Sequence, residues 1–252
     1  MITRLKMLAR RLWGKFQLWL ERRKIKDHFP DIGKKDEIPK NMTKMMNIRL
    51  IQGVGSFGIS KITIGGDSIM HGFEPIAQRE FGNKVCVSAI GGNRARWIAD
   101  SPAHILTAAS PILVLHMGGN DLLSGDSVED VIESIFDLHS IVGYRYPKFY
   151  MFEILPLGHI ADFPEAKNLK VDNLSEVIAN VKDVTLNKIP VFNARLRSIP
   201  FVEVIPVYSK LQRAPGEAWI SKKYGSGDLI HVNDLCYTEV YVPEIRKILE
   251  KG

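Results

Sequence analysis

Ser68, Asp228 and His231 are the residue types that together can activate a hydroxyl for attack. A serine hydroxyl is a poor nucleophile until a base takes its proton. His231 is the candidate base. Asp228 lies three residues earlier, close enough on a turn to accept from the other ring nitrogen, fix the tautomer and stabilise the imidazolium. Acyl transfer also needs donors aimed at the developing oxyanion, and losing one costs about 10²–10³ in rate. Asn120 offers a side-chain amide, and Ser68 offers its own backbone N–H. The Gly91-Gly92 turn offers another backbone N–H that no side chain shields. Each motif also has a plainer use. Asp-x-x-His arises by chance, Asn120-Asp121 can cap a following helix, and Gly91-Gly92 can be an ordinary strand-to-helix turn.

These residues need elements to bring them together. Short apolar runs at 61–65, 85–90, 112–117, 149–155 and 202–207 read as five strands. Helical periodicity fills 73–81, 94–108 (broken near Ser101-Pro102), 128–142, 174–187 and 240–250. Apolar strands alternating with helices predict an α/β domain whose mainly parallel sheet is covered on both faces. Sites in such sheets lie beyond the carboxyl ends of the strands. Ser68, Gly92 and Asn120 each fall just past a predicted strand end, so one edge gathers all of them. His116, inside a predicted strand, reads as a packed or hydrogen-bonded core histidine. Arg94 and Arg96 follow the glycine pair, where they could meet an anionic group or form a solvated helix face. The loop that begins Leu155-Pro156-Leu157-Gly158-His159 is expected over the same edge, shaping substrate choice.

The motifs, taken in order, resemble the SGNH hydrolases, also called the GDSL family of esterases and lipases. Gly66-Asp67-Ser68-Ile69 is similar to the first block, with Ile for the usual Leu. Ala89-Ile90-Gly91-Gly92 is similar to the second, whose final glycine is the oxyanion donor, which favours Gly92. Gly118-Gly119-Asn120-Asp121 matches the G-x-N-D block. Asp228, His231, Asn233 and Tyr237 fit the last block, in which Leu229 and Cys236 replace two glycines and so question the local turn geometry. The resemblance covers roughly residues 60–250. It implies a three-layer α/β/α sandwich of SGNH/flavodoxin-like kind and a two-step serine ester hydrolase. Ser68, Asp228 and His231 would form its triad; Ser68, Gly92 and Asn120 would form its oxyanion hole. It implies no metal and no cofactor, and it casts Asp67 as a support for the loop. Its substrate would be a small-molecule, glycan or lipid ester. A carbohydrate O-acetyl esterase or acyltransferase of the same fold is the alternative enzyme. A non-catalytic binding or scaffold protein that retains the fold is the alternative of another class.

The charge is unevenly spread. The 252-residue chain carries +6 overall. Residues 1–29 hold nine Lys/Arg against Glu21 and Asp27, a net +7, leaving the remainder at −1. That remainder shows no nucleic-acid surface. Ile2, Leu5, Leu8, Leu12, Phe16 and Trp19 recur at helical spacing with basic residues beside them, predicting a basic amphipathic helix over 1–29. Such a helix can pack on the domain or on a second subunit, lie on an anionic membrane, or serve as a targeting segment. Its apolar runs are too short to span, and its pattern is unlike a cleaved signal. Residues 30–57 read as a linker and 58–252 as the hydrolase-like domain. Cys86 and Cys236 have no metal spacing; Cys86 reads as a buried thiol, and the usage fits a reducing, cytoplasmic setting, in which the segment 1–29 could make peripheral membrane contact.

Overall fold

A computed structural model describes residues 60–106, 110–168 and 173–251. The predicted helix over 1–29 and the whole linker over 30–57 lie outside the described residues. Five strands form one sheet: β1 (Ile62–Gly66), β2 (Val85–Ala89), β3 (Ile112–His116), β4 (Lys148–Phe152) and β5 (Glu203–Ile205). All are parallel, in the order β2-β1-β3-β4-β5. That order reverses direction between β1 and β3, and an open α/β sheet has its crevice where the order reverses.

The helices follow from sequence signals around the strands. Helix α1 (Ser68–Phe81) starts at its cap, Asp67, whose carboxylate accepts from the N–H of Ile69. It therefore begins five residues before its predicted start and carries Pro75 within it. Helices α2 (Ala95–Asp100) and α3 (Ala103–Leu106) divide at Ser101-Pro102, where a break is expected. Helix α4 (Gly119–Leu123) is an extra turn after β3, and α5 (Val128–Val142) opens with a Ser127/Asp130 capping box. Helix α6 (Leu174–Asp183) continues through a π turn (Val184–Lys188) into α7 (Ile189–Leu196). Helix α8 (Tyr208–Leu211) follows β5. Helix α9 (Asp234–Cys236) and a second π turn (Tyr237–Tyr241) lead into α10 (Val242–Lys251).

Helices cover both sides of the sheet, giving the expected three layers. The central strands β1 and β3 are buried throughout. Edge strand β2 is only half-buried at Cys86, Val87 and Ser88, so Cys86 is not the fully buried thiol its apolar run predicts. An edge strand has a neighbour on one side alone, which a hydrophobic run cannot reveal. Under the carboxyl edge of the sheet, Phe152 of β4 packs on Tyr241 (4.8 Å between ring centres), and Phe73 of α1 packs on Tyr237 (5.7 Å). This cluster joins the start of α1 to the end of the chain. Among the described residues, no helix is long and apolar enough to cross a membrane.

Candidate functional site

Ser68 is the first residue of α1, directly beyond β1, so the N–H it presents lies where a helix leaves donors unsatisfied. Gly66 ends the strand with its backbone against its neighbour: a Cβ there would sit 2.2 Å from the carbonyl oxygen of His116. Only a residue without a side chain lets β1 and β3 stay paired while the chain turns into Asp67-Ser68.

His231 arrives from 163 residues away, and its Nε2 lies 2.9 Å from Ser68 Oγ. Its Nδ1 lies 2.5 Å from Asp228 Oδ2. The other carboxylate oxygen, Oδ1, accepts from the N–H of Ile230 (3.0 Å), the N–H of His231 (2.8 Å) and the hydroxyl of Ser226 (3.0 Å). Asp228 therefore folds the turn that carries His231 and orients its ring. The carboxylate is only an acceptor, so Nδ1 carries the proton and Nε2 is free to accept from Ser68. Burial works against the Asp228 charge. The hydrogen bonds from the His231 ring and from the two backbone N–H groups outweigh it, holding the carboxyl well below its usual range. The bond to Asp228 in turn pushes His231 above its ordinary value against the effect of burial, helped by the charges of Asp228 and Asp67.

The turn tolerates the departure at Leu229. Leu229 has φ 73°, the left-handed conformation that glycine adopts freely, and is the one described non-glycine residue with positive φ. A left-handed Leu costs roughly 1–2 kcal/mol. Its side chain is 4 % exposed, and burying a leucine contributes about 1.5–3 kcal/mol, enough to offset the strain. The loop after β4 braces the same turn: Gly158 N–H donates to the Leu229 carbonyl at 2.7 Å. Leu155 and Leu157 are buried at the start of this loop, and His159 and Ile160 beyond them are half-buried. Cys236, the second departure, is fully buried, and burial pushes its thiol up to about 12.

Two further loops carry the other donor candidates. Gly92 is exposed with φ 73°, and the space where its Cβ would stand is open. Asn120, in the first turn of α4, donates through Nδ2 to the carbonyl of Asn93 at 2.9 Å. An amide nitrogen has two hydrogens, so this bond fixes the group's direction and leaves a second hydrogen to donate. Asp121 ties the same loops together, both of its oxygens accepting from the N–H of Ala95 at 3.0 and 2.9 Å. Burial raises the Asp121 carboxyl despite those bonds.

Several contributors escape the sequence reading. The carbonyl that aims Asn120 is a backbone group and leaves no residue signal. Tyr237 matches a motif position, but its task appears only in three dimensions: its hydroxyl donates to the carbonyl of Ile69 at 2.8 Å, pinning α1 behind Ser68. His116 is buried as expected, and its Nδ1 meets both oxygens of Asp67 at 3.2 Å. A lone polar residue in the run Ile112–Met117 is the signal that marks it. Arg96 pairs with Asp137 at 2.8 Å, and Arg94 lies 5.3 Å from the Trp97 ring centre, so both have partners on the domain surface. Among the described residues, no group of three or more His, Cys, Asp or Glu could hold a metal ion.

Solved structures share this fold. A Streptococcus pneumonia protein, named provisionally for platelet activating factor, superposes with a TM-score of 0.63 at 19% identity, over 85% of this chain and 95% of its own. A GDSL-like lipase from Bacteroides thetaiotaomicron gives 0.60 at 14% identity, over 82% and 97%. A lipase/acylhydrolase from Enterococcus faecalis gives 0.50 at 18% identity, over 76% and 96%. No family model matches the sequence, and no curated protein does. The shared architecture is therefore that of GDSL-like lipases and acylhydrolases.

Proposed function

We propose that the chain is a serine-dependent carboxylic-ester hydrolase of the SGNH type, acting through an acyl-enzyme on Ser68. The observation that carries this reading is the continuous relay from Ser68 Oγ through both nitrogens of His231 to Asp228. In the first step Ser68 Oγ attacks the ester carbonyl carbon and His231 Nε2 takes its proton. The carbonyl oxygen becomes an oxyanion facing the N–H of Ser68, the N–H of Gly92 and the second Asn120 amide hydrogen. Collapse breaks the bond to the alkoxy group, which leaves as alcohol with the proton from the imidazolium. Water then gives its proton to His231 and attacks the acyl-serine, and the acid departs as Ser68 recovers its proton. Asp228 stays ionised throughout and stabilises the imidazolium formed in each step.

The substrate class proposed is a small-molecule ester, lipid-like or carbohydrate-borne. The basic amphipathic pattern of residues 1–29 favours a substrate near an anionic membrane surface. Turnover of p-nitrophenyl esters from acetate to palmitate, with Ser68→Ala alongside, tests the reading and grades acyl length. Hydrolysis of at least one ester, lost in Ser68→Ala, is the expected result. Binding without hydrolysis across the series would favour a non-catalytic scaffold and overturn the proposal.

A further inference from the structure

We propose that His116 is a positioning residue for the nucleophile, holding Ser68 against His231 through the carboxylate of Asp67. This rests on the reading of Ser68 as the attacking group. Asp67 immediately precedes Ser68 and is 2 % exposed. A carboxylate removed from water must be met by donors. The donors here are the N–H of Ile69, at 3.0 Å, and His116 Nδ1, at 3.2 Å from each oxygen. The first belongs to the nucleophile's own helix and moves with it. The second comes from β3, whose residue 116 is paired in register with Gly66 at the centre of the sheet. His116 is thus the side chain that fixes the Asp67-Ser68 corner to a rigid strand. Its back rests on the aromatic cluster, 6.5 Å from the ring centre of Phe152.

Stability alone does not account for the pair. His116 Nε2 is buried with no hydrogen-bond partner. A buried polar atom left unmade costs about 1–3 kcal/mol. An apolar pair of similar volume at 67 and 116 would avoid that cost and is often the more stable choice. What an apolar pair lacks is direction, and Ser68 needs direction. A displacement of about 1 Å at a reacting atom can cost on the order of 10²-fold in rate.

The test compares His116→Leu, His116→Asn and His116→Gln in the full chain with p-nitrophenyl acetate. Asparagine places an amide N–H near the position of Nδ1; glutamine places one near Nε2 and leaves Asp67 unmet. Expected for His116→Leu is a kcat lower by about 10- to 100-fold with KM within about 2-fold. His116→Asn should recover most of the loss, and His116→Gln should not. Crystal structures of the variants read positioning without turnover. The Ser68 Oγ to His231 Nε2 separation, 2.9 Å in the native chain, should lengthen in the Leu and Gln forms and stay short in the Asn form. A native protein inactive on all esters would defeat the hydrolase reading, while this separation still tests the brace. If His116→Leu does not fold, the Asn and Gln forms decide. Equal kcat and equal separations in those two, or an unchanged kcat and separation in a folded His116→Leu, would overturn the inference.

Discussion

At the scale of residues, the proposed relay predicts a pH behaviour. Only unprotonated His231 can accept the Ser68 proton, so kcat/KM should fall as pH drops through an apparent pKa above the ordinary imidazole value of 6.5. Asp228→Asn removes the partner that raises it. The acid limb should then move to lower pH, and kcat/KM should drop by on the order of 10⁴, because the tautomer is no longer fixed. A full pH–rate profile of both proteins checks this, and an unmoved limb would contradict it. The same pair contributes to folding with a definite sign. His231 is raised in the folded chain, so its share is complete below 6.5 and fades as pH rises through the folded value. Asp228 is lowered, so its share is complete above 3.8 and fades as pH falls through the folded value. The melting temperature of the native chain relative to Asp228→Asn should therefore be most favourable between those limits and narrow toward alkaline pH.

At the scale of elements, the site depends on where strands stop and helices start. Gly66→Ala would force a methyl group to within 2.2 Å of the His116 carbonyl. Overpacking of this kind costs on the order of 3 kcal/mol, so urea unfolding should shift to much lower denaturant or the chain should fail to fold. Tyr237→Phe removes one buried hydrogen bond between the base segment and α1. A loss near 1 kcal/mol in urea unfolding is expected. The strands were legible because each is a short, largely apolar run, rich in β-branched residues in β1 and β3 and in aromatic ones in β4. Even so, β4 stops at Phe152, short of the predicted 155, and the backbone of Ile154 pairs with a side chain instead of a strand: its N–H donates to Asn193 Oδ1 and its carbonyl accepts from Asn193 Nδ2, both at 2.9 Å. The start of α1 was hidden because Gly72 looks like a breaker, while the capping signal resides in Asp67, which is also part of the Gly-Asp-Ser motif. Helix α7 was hidden by Pro190, which sits in its first turn. In the site, Ser68, Gly92 and Asn120 were legible as residue types just past strand ends, and Asp228 and His231 as an acid and a base three residues apart. Their supports were not: the Asn93 carbonyl, the His116–Asp67 contact and the Gly158–Leu229 bond are made across long sequence separations and carry no local pattern.

At the scale of the whole molecule, the basic charge and the described fold belong to different parts of the chain. Residues 60–251 supply a complete five-stranded sheet and an extensive apolar core. The basic excess belongs to residues 1–29, with net charge +7. The full chain should therefore sediment with phosphatidylserine-containing liposomes and be released by raised salt, while a chain lacking residues 1–29 should not sediment. Equal sedimentation of the two would contradict peripheral anchoring. The most direct measurement of the central claim is intact-mass spectrometry of the whole chain after exposure to a fluorophosphonate. One adduct per chain on Ser68, slowed in Asp228→Asn and absent in Ser68→Ala, is the result expected of a serine nucleophile activated by His231. A native chain left unmodified, or labelled equally well in Ser68→Ala, would contradict it.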